Sequence, residues 1–256
     1  MTDYEIISCV NDGANFYLRF FGKAVHMEYC KKEFYGYIRP KQGEHGVRFI
    51  FDVRLESLPN DRKLEKIAEI KSLDMPVWWD MHSSDALYRL IHGKAREKVE
   101  GTLTDGDELY MAILPDEKID ADMACENITI KKIDSPSSFA EWANAVNEIM
   151  FNGYADIHPV NHYHLCRDGD INCFICYDGD TVAAVSSVMD NQGVCSLEFV
   201  ATAPNYRRKG FAKAVCTRAI KDAFENGASI ITLRALQPYT RELYTSLGFK
   251  IYNYAL

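Results

Sequence analysis

The strongest constraint on the fold is a change of hydrophobic period in the second half of the chain. Three strand-like runs, 171–177, 181–189 and 194–202, are separated by the turn signals Asp178-Gly179-Asp180 and Asn191-Gln192-Gly193. Directly after them Phe211, Val215, Ala219 and Ala223 recur at every fourth position, and Gly227 stands where a helix stops. A meander that feeds an amphipathic helix buries both apolar surfaces by packing one on the other. A strand over 127–133 precedes this unit, followed by a helix that starts at the Ser135-Pro136 cap and runs to about Met150. A strand over 229–236, a helix over 240–247 and a closing strand over 249–254 come after it. The predicted order is β-α-β-β-β-α-β-α-β, an α/β fold around a mixed sheet. Residues 151–170, rich in His, Asn and Gly, read as irregular.

The first half is less regular. Its later part predicts strand 47–55, helix 61–73, strand 76–80, helix 84–95 and strand 108–114. That repeats the strand-helix-strand-helix-strand series at the end of the chain, so a structural duplication and a plain α/β alternation both account for it. Division is expected at 1–126 and 127–256, with 120–126 as the connection. The closing strand is followed by almost no chain, so another element, such as a first-half strand, is expected to cover that edge.

At 256 residues and 47% hydrophobic content the chain can bury a core without disulfides or metal. It has no long apolar span and no basic-then-apolar leader, so a cytoplasmic protein with no membrane partner is expected, its eight cysteines reduced. The net charge of −8 argues against a nucleic-acid partner. Against that acidic background Arg207, Arg208, Lys209, Lys213, Arg218 and Lys221 form a compact basic segment. It reads either as a solvated helix face or as a site for a small anion.

The anion reading is strengthened by where the segment falls. The run Leu197-Glu198-Phe199-Val200-Ala201-Thr202 is a strand, and Ala203 to Lys209 turns it into the helix through Gly210. A helix start offers unpaired N–H groups and a partial positive charge, and a glycine there lets a phosphate approach the backbone. Neither a P-loop nor a dinucleotide-binding glycine pattern is present.

The segment resembles the acyl-CoA signature of the GNAT superfamily of N-acyltransferases, [Q/R]-x-x-G-x-[G/A]. It reads here Arg207-x-x-Gly210-x-Ala212, after a V-x-x-x-P-x-[Y/F]-R run from Val200 to Arg207. The late L-Y-x-x-[L/R]-G-F motif is matched by Leu243 to Phe249, and the element order is close to the family's. The resemblance covers about 128–256. It implies a GNAT-type α/β fold with a mixed, mostly antiparallel sheet and flanking helices. The first half resembles a degenerate GNAT-like domain without a phosphate loop, expected to bind no CoA and to shape the acceptor cleft.

The resemblance further implies acetyl-CoA as cosubstrate. Backbone groups of Val200 and Thr202 would pair with its pantetheine, and the amide near Val200 would polarise the thioester carbonyl. Arg207, Arg208, Lys209, Gly210, Phe211, Ala212 and Lys213 would hold the pyrophosphate, and Gln237 stands where the family often has an Asn that contacts CoA. Tyr244 matches the tyrosine that donates a proton to the departing thiolate; its other reading is a core tyrosine. Glu198 sits where many members place a general base, and it also reads as a paired or solvent-facing carboxylate. The expected activity is N-acetyl transfer to a small-molecule or peptide amine, with no metal. A non-catalytic CoA-binding regulatory module is the alternative.

Three weaker signals remain. Cys173 and Cys176 form a C-x-x-C, but strand geometry sends them to opposite faces, which disfavours a shared metal. His158, His162, His164 and Cys166 form a cluster with three open readings: a zinc site, with 162, 164 and 166 alternating along an extended segment, a segment lining the acceptor pocket, or a plain loop. Trp78-Trp79 reads as a stacking platform or a buried aromatic pair.

Overall fold

The computed structural model describes residues 1–78, 84–99, 101–103, 108–117, 119, 128–152, 157–236 and 239–252. The first half contains α1 (Asp3–Gly22), β1 (Met27–Lys31), β2 (Gly36–Pro40), β3 (Phe49–Phe51), α2 (Asn60–Ser72), α3 (Asp85–His92), a small hairpin of β4 (Lys98–Val99) and β5 (Thr102–Leu103), and β6 (Glu108–Ile113). The second contains β7 (Ile128–Lys132), α4 (Pro136–Met150), α5 (Pro159–Arg167), β8 (Ile171–Asp178), β9 (Thr181–Asn191), β10 (Val194–Thr202), α6 (Phe211–Glu225), β11 (Ile230–Leu236), α7 (Arg241–Ser246) and β12 (Lys250–Ile251).

The periodic segments fold as their patterns require. Ser135 caps α4, its side chain accepting from the Ser138 amide, with Pro136 in the first turn. The turns at Gly179 and Gly193 both use positive φ, and they join β8, β9 and β10 into the expected antiparallel meander. Two segments depart from the expected pattern. Residues 159–167 are helical, with Pro159 in the first turn and the His158 side chain accepting from the Asn161 amide. The closing strand is described only as Lys250–Ile251, residues 253 and 254 lying outside the described part.

The main sheet has seven strands in the order β12-β6-β11-β10-β9-β8-β7, antiparallel throughout except for the parallel pair β10–β11. The strand from the first half enters this sheet between β11 and β12 rather than outside β12. α6 and α7 pack on one face around Val215, Ala219, Tyr244 and Phe249. The other face carries α1 and α4 around Leu18, Phe21, Trp142 and Phe199. That second cluster continues into Ile38 and Phe51 of the three-stranded sheet β1-β2-β3, whose far side packs on α2 and α3 through Ile50, Leu55, Ile70 and Leu87. Within the first half, the Trp78 amide donates to the Ile50 carbonyl and the Ile50 amide to the Pro76 carbonyl, so the chain around Val77 runs parallel to β3 across α2.

Two devices seat α1. Its first turn is closed by a capping box in which the Thr2 side chain and Glu5 exchange hydrogen bonds with each other's amides. Gly13 then lies so close to the sheet that a Cβ there would stand 2.7 Å from Thr232 Oγ1 and 3.0 Å from Ser196 Cβ. Both neighbours are buried strand residues, so α1 has no room to shift outward without losing its core contacts. Gly13→Val is expected to destabilise the protein by about 1–3 kcal/mol, read as a lower denaturant midpoint. An unchanged midpoint would show that α1 does not lie on β10 and β11.

Candidate active site

The site is an opening in the main sheet. β10 and β11 pair only over Val194–Ser196 and Ile230–Thr232, yet β10 continues to Thr202 and β11 to Leu236. Beyond the last pair each strand is held from its outer side alone, β10 by β9 and β11 by β6. The result is a V-shaped gap beyond the last pair, with Glu198, Val200 and Thr202 along β10 and Arg234 along β11.

A bulge shapes the β10 side of the gap. Glu198 stands opposite Ser187 and Ala201 opposite Val185, so three steps on β10 match two on β9. Phe199 and Val200 have no partner in that register, and Phe199 takes a φ of 51°, the left-handed region that a bulky side chain seldom enters. The extra residue reverses the alternation. Leu197 faces the α6 side, whereas Phe199 and Ala201 face the α1 side. There the Phe199 ring is gripped by Tyr17 at 5.3 Å, Phe20 at 5.7 Å and Trp142 at 5.5 Å. Aromatic packing on this scale offsets the backbone strain.

Glu198 lies just before the bulge. Its side chain retains some contact with solvent but is surrounded by protein, and burial pushes its carboxyl up to about 8. The neighbouring Ser196 hydroxyl opposes that shift and the Glu108 carboxylate adds to it. Tyr244 comes from α7, buried against Phe249 at 5.9 Å. Burial, with Cys216 and Glu198 as neighbours, raises its phenol well above the ordinary value, so it stays a proton donor across the working pH range.

The turn after β10 leads into α6. Pro204–Tyr206 form a short 3-10 turn, Arg207 donates from Nε to the Thr202 carbonyl at 3.2 Å, and Arg208 and Gly210 both adopt positive φ. Gly210 occupies the N-cap position and supplies no capping side chain, so the first turn of α6 ends in backbone amides beneath exposed Arg207, Arg208 and Lys209. Lys209 lies 5.8 Å over the Tyr206 ring, which packs edge-on to Phe211. Further along α6, Arg218 pairs with Asp222, as does Lys132 of β7.

The structure therefore brings Glu198, Val200, Thr202, Tyr244 and the 207–213 turn to one end of the sheet, while Gln237 lies outside the described residues. Cys173 and Cys176 do face opposite cores. Because 159–167 is helical, His162 and Cys166 share a face that His164 leaves, which breaks the alternating ligand set. Among the described residues no group of three ligating side chains could hold a metal. Trp78 packs edge-on to Phe49 at 5.6 Å and lies under Arg234; Trp79 is outside the described residues.

Sequence reasoning missed Arg234 and Glu108. Arg234, within the apolar run Ile230–Leu236, carries the same signal that singled out Glu198, a charge inside a buried strand. Glu108 carries no such signal, because its position follows from β6 joining a sheet of the other half.

The raised carboxyl has a consequence for stability. Between its ordinary value of 4.5 and about 8 the folded chain keeps a proton that the unfolded chain has released, so stability falls as pH rises through that window and stays reduced above it. Glu198→Gln removes the penalty. It is expected to stabilise the protein by about 1–3 kcal/mol at pH 9 and not at pH 4, after allowance for partial contact with solvent. Thermal unfolding at the two pH values tests this, and an equal difference at both would show an ordinary carboxyl.

The family model described as Acetyltransferase (GNAT) family matches residues 137–249. A GCN5-related N-acetyltransferase from Kribbella flavida is similar in structure, with 14% identity, a TM-score of 0.62 and coverage of 95% of this chain and 92% of that one. One from Sphaerobacter thermophilus has 15% identity, a TM-score of 0.59 and coverage of 86% and 78%. A functionally unknown conserved protein from Staphylococcus epidermidis has 8% identity, a TM-score of 0.51 and coverage of 87% and 88%. At these identities the likeness is one of fold, and it extends over both halves. No curated protein matches the sequence.

Proposed function

We propose that this chain, whose residues 137–249 form a domain of the GNAT acetyltransferase family, transfers an acetyl or other short acyl group from acetyl-CoA to a primary amine by direct attack. The observation that supports this most is the juxtaposition, at one gap in the sheet, of an uncapped helix start, a bulged strand and a buried acid.

Each residue has a physical task in this reading. The amides of Arg208 to Lys213, with the Arg207, Arg208 and Lys209 side chains, bind the pyrophosphate, and Gly210 lets it approach. Val200 and Thr202 pair with the pantetheine amides where β11 has left β10. The Val200 amide, which lies in the bulge, donates to the thioester oxygen as negative charge develops there. Glu198 takes the proton that an alkylammonium must lose before its nitrogen can attack, through a water if the distance requires one. As the C–S bond breaks, Tyr244 donates to the departing thiolate.

In this reading residues 127–256 act as the catalytic half and 1–126 as the half that shapes the acceptor cleft, with Tyr17 against Phe199 of the bulge and Trp78 under Arg234. The acceptor is a small-molecule or peptide amine, and the acid-rich first half favours a cationic one.

Calorimetric titration with acetyl-CoA is expected to give micromolar, one-to-one binding that Gly210→Glu abolishes. That substitution places a carboxylate where the phosphate would sit and a Cβ at a φ of 90°. Tyr244→Phe is expected to bind acetyl-CoA normally and to lower CoA release with an active acceptor by about 100-fold. Absence of binding to the unmodified protein would overturn the reading. Unimpaired turnover in Tyr244→Phe would remove that residue from the chemistry, and binding without turnover against any amine would favour a regulatory CoA-binding module.

A further inference from the structure

A charged cluster beside the gap has no task in the acyl transfer just described. Arg234 of β11 donates from Nη2 to the Glu108 carboxylate at 2.8 Å and to the Tyr110 hydroxyl at 3.0 Å. Its guanidinium lies over the rings of Trp78, at 4.7 Å, and Tyr110, at 4.8 Å. The Arg234 side chain is 5% exposed and that of Glu108 19%. Three of the four residues belong to the first half of the chain. A buried ion pair stabilises a fold no better, and often less well, than apolar residues of the same volume, so its presence calls for a role beyond stability.

Register places this cluster next to Glu198. Tyr110 stands opposite Arg234, and Glu108 opposite Leu236, in the β6–β11 ladder. Ser196 stands opposite Thr232 in the last β10–β11 pair, and both meet α1 at Gly13. By alternation, Glu198 and Arg234 take that same face two residues further on. No β10–β11 backbone pair is formed there, so on this side Glu198 is bounded by side chains of β11 and β6 instead of by a ladder.

We propose that Glu108, clamped by Arg234, is a positioning residue for Glu198, so that a strand of the first half completes the acid-base site of the second. The inference rests on the general-base role given to Glu198 above. A second carboxylate nearby disfavours negative charge on Glu198, which agrees with the influence of Glu108 on its titration. The ion pair with Arg234 fixes the direction of the Glu108 carboxylate. The other groups that act on Glu198 or face it are Ser196 on its own strand and Tyr244 on α7, with Tyr110 of β6 held by Arg234, while α1 brings Gly13 against Ser196 and Tyr17 against Phe199. An alkylammonium entering the gap offsets the repulsion between the two carboxylates. Glu198 then releases its proton to solvent, and the resulting carboxylate takes the proton of the ammonium, leaving a neutral amine to attack. The base is armed by the acceptor's own charge.

The test is a titration of the full chain carrying 13C at the glutamate carboxyl carbon, followed by NMR, the Glu198 signal being the one absent from Glu198→Gln. Glu108→Gln is expected to lower the midpoint by about 1 pH unit and Arg234→Met to raise it, with acetyl-CoA affinity unchanged in both. Glu108→Asp, which keeps the charge, is expected to stay near the unmodified value. If Glu108→Gln leaves Arg234 unpaired and the protein does not fold, the double variant Glu108→Gln/Arg234→Met serves in its place and is expected below the midpoint of Arg234→Met. A midpoint of Glu108→Gln at or above the unmodified one, or of the double variant at or above that of Arg234→Met, overturns the proposal. Failure of the unmodified protein to bind acetyl-CoA would defeat the acyl-transfer reading and leave this titration interpretable.

Discussion

The separation of β10 from β11 after a single short run of pairing is the constraint on which the rest of the molecule depends. Two strands that part inside a sheet expose backbone donors and acceptors at the place where a sheet is most buried, and such groups are costly unless something else satisfies them. The protein meets this by anchoring each strand from its outer side. β9 follows β10 to Thr202 through the bulge, and β6 pairs with β11 from Ile231 to Leu236. β6 is therefore more than an edge cover. Without it the end of β11 would have no neighbour on either side, and the gap would close or fray. This explains why a strand from residues 108–113 lies inside a sheet otherwise made by the second half. It also explains why α1, which precedes every strand in sequence, lies directly over β10 and β11 at Gly13 and holds both in place.

The second half was legible because its elements are specified locally. The turn glycines at 179 and 193, the Ser135-Pro136 cap and the four-residue series in α6 each fix a boundary without reference to distant residues. The candidate site was legible for a related reason, since Glu198, Val200 and the Arg207–Lys213 turn lie within sixteen consecutive residues, and Tyr244 sits in its own short motif. What escaped sequence reading depends on contacts between segments far apart. α1 carries a capping box at Thr2 and Glu5 and a four-residue apolar series from Ile6 to Leu18, local signals of a helix that say nothing of its place over β10 and β11. α5 was hidden by its composition, since His158, Pro159 and Asn161 look like a loop until His158 is seen to cap the helix. The bulge at Phe199 has no sequence signature of its own. A buried phenylalanine at positive φ becomes tolerable only when Tyr17, Phe20 and Trp142 arrive from two other helices.

The electrostatics of the gap follow from the same architecture. A carboxylate inside a strand at the end of a sheet would titrate like any other if the sheet ended in solvent. Here α1 and α4 close one face and α6 and α7 the other, so Glu198 bears the desolvation of its charged form while keeping some contact with solvent. Tyr244, buried on the α6 side, is pushed in the direction that keeps its proton. Burial thus drives the two groups the same way, each toward its protonated form, but from very different starting points. Glu198 reaches a value near neutrality, where it can exchange a proton, and Tyr244 moves beyond the range in which it could lose one. A carboxyl that can accept and a phenol that can only donate suit the base and the acid of the acyl transfer proposed above, and burial applied to two different side chains produces both.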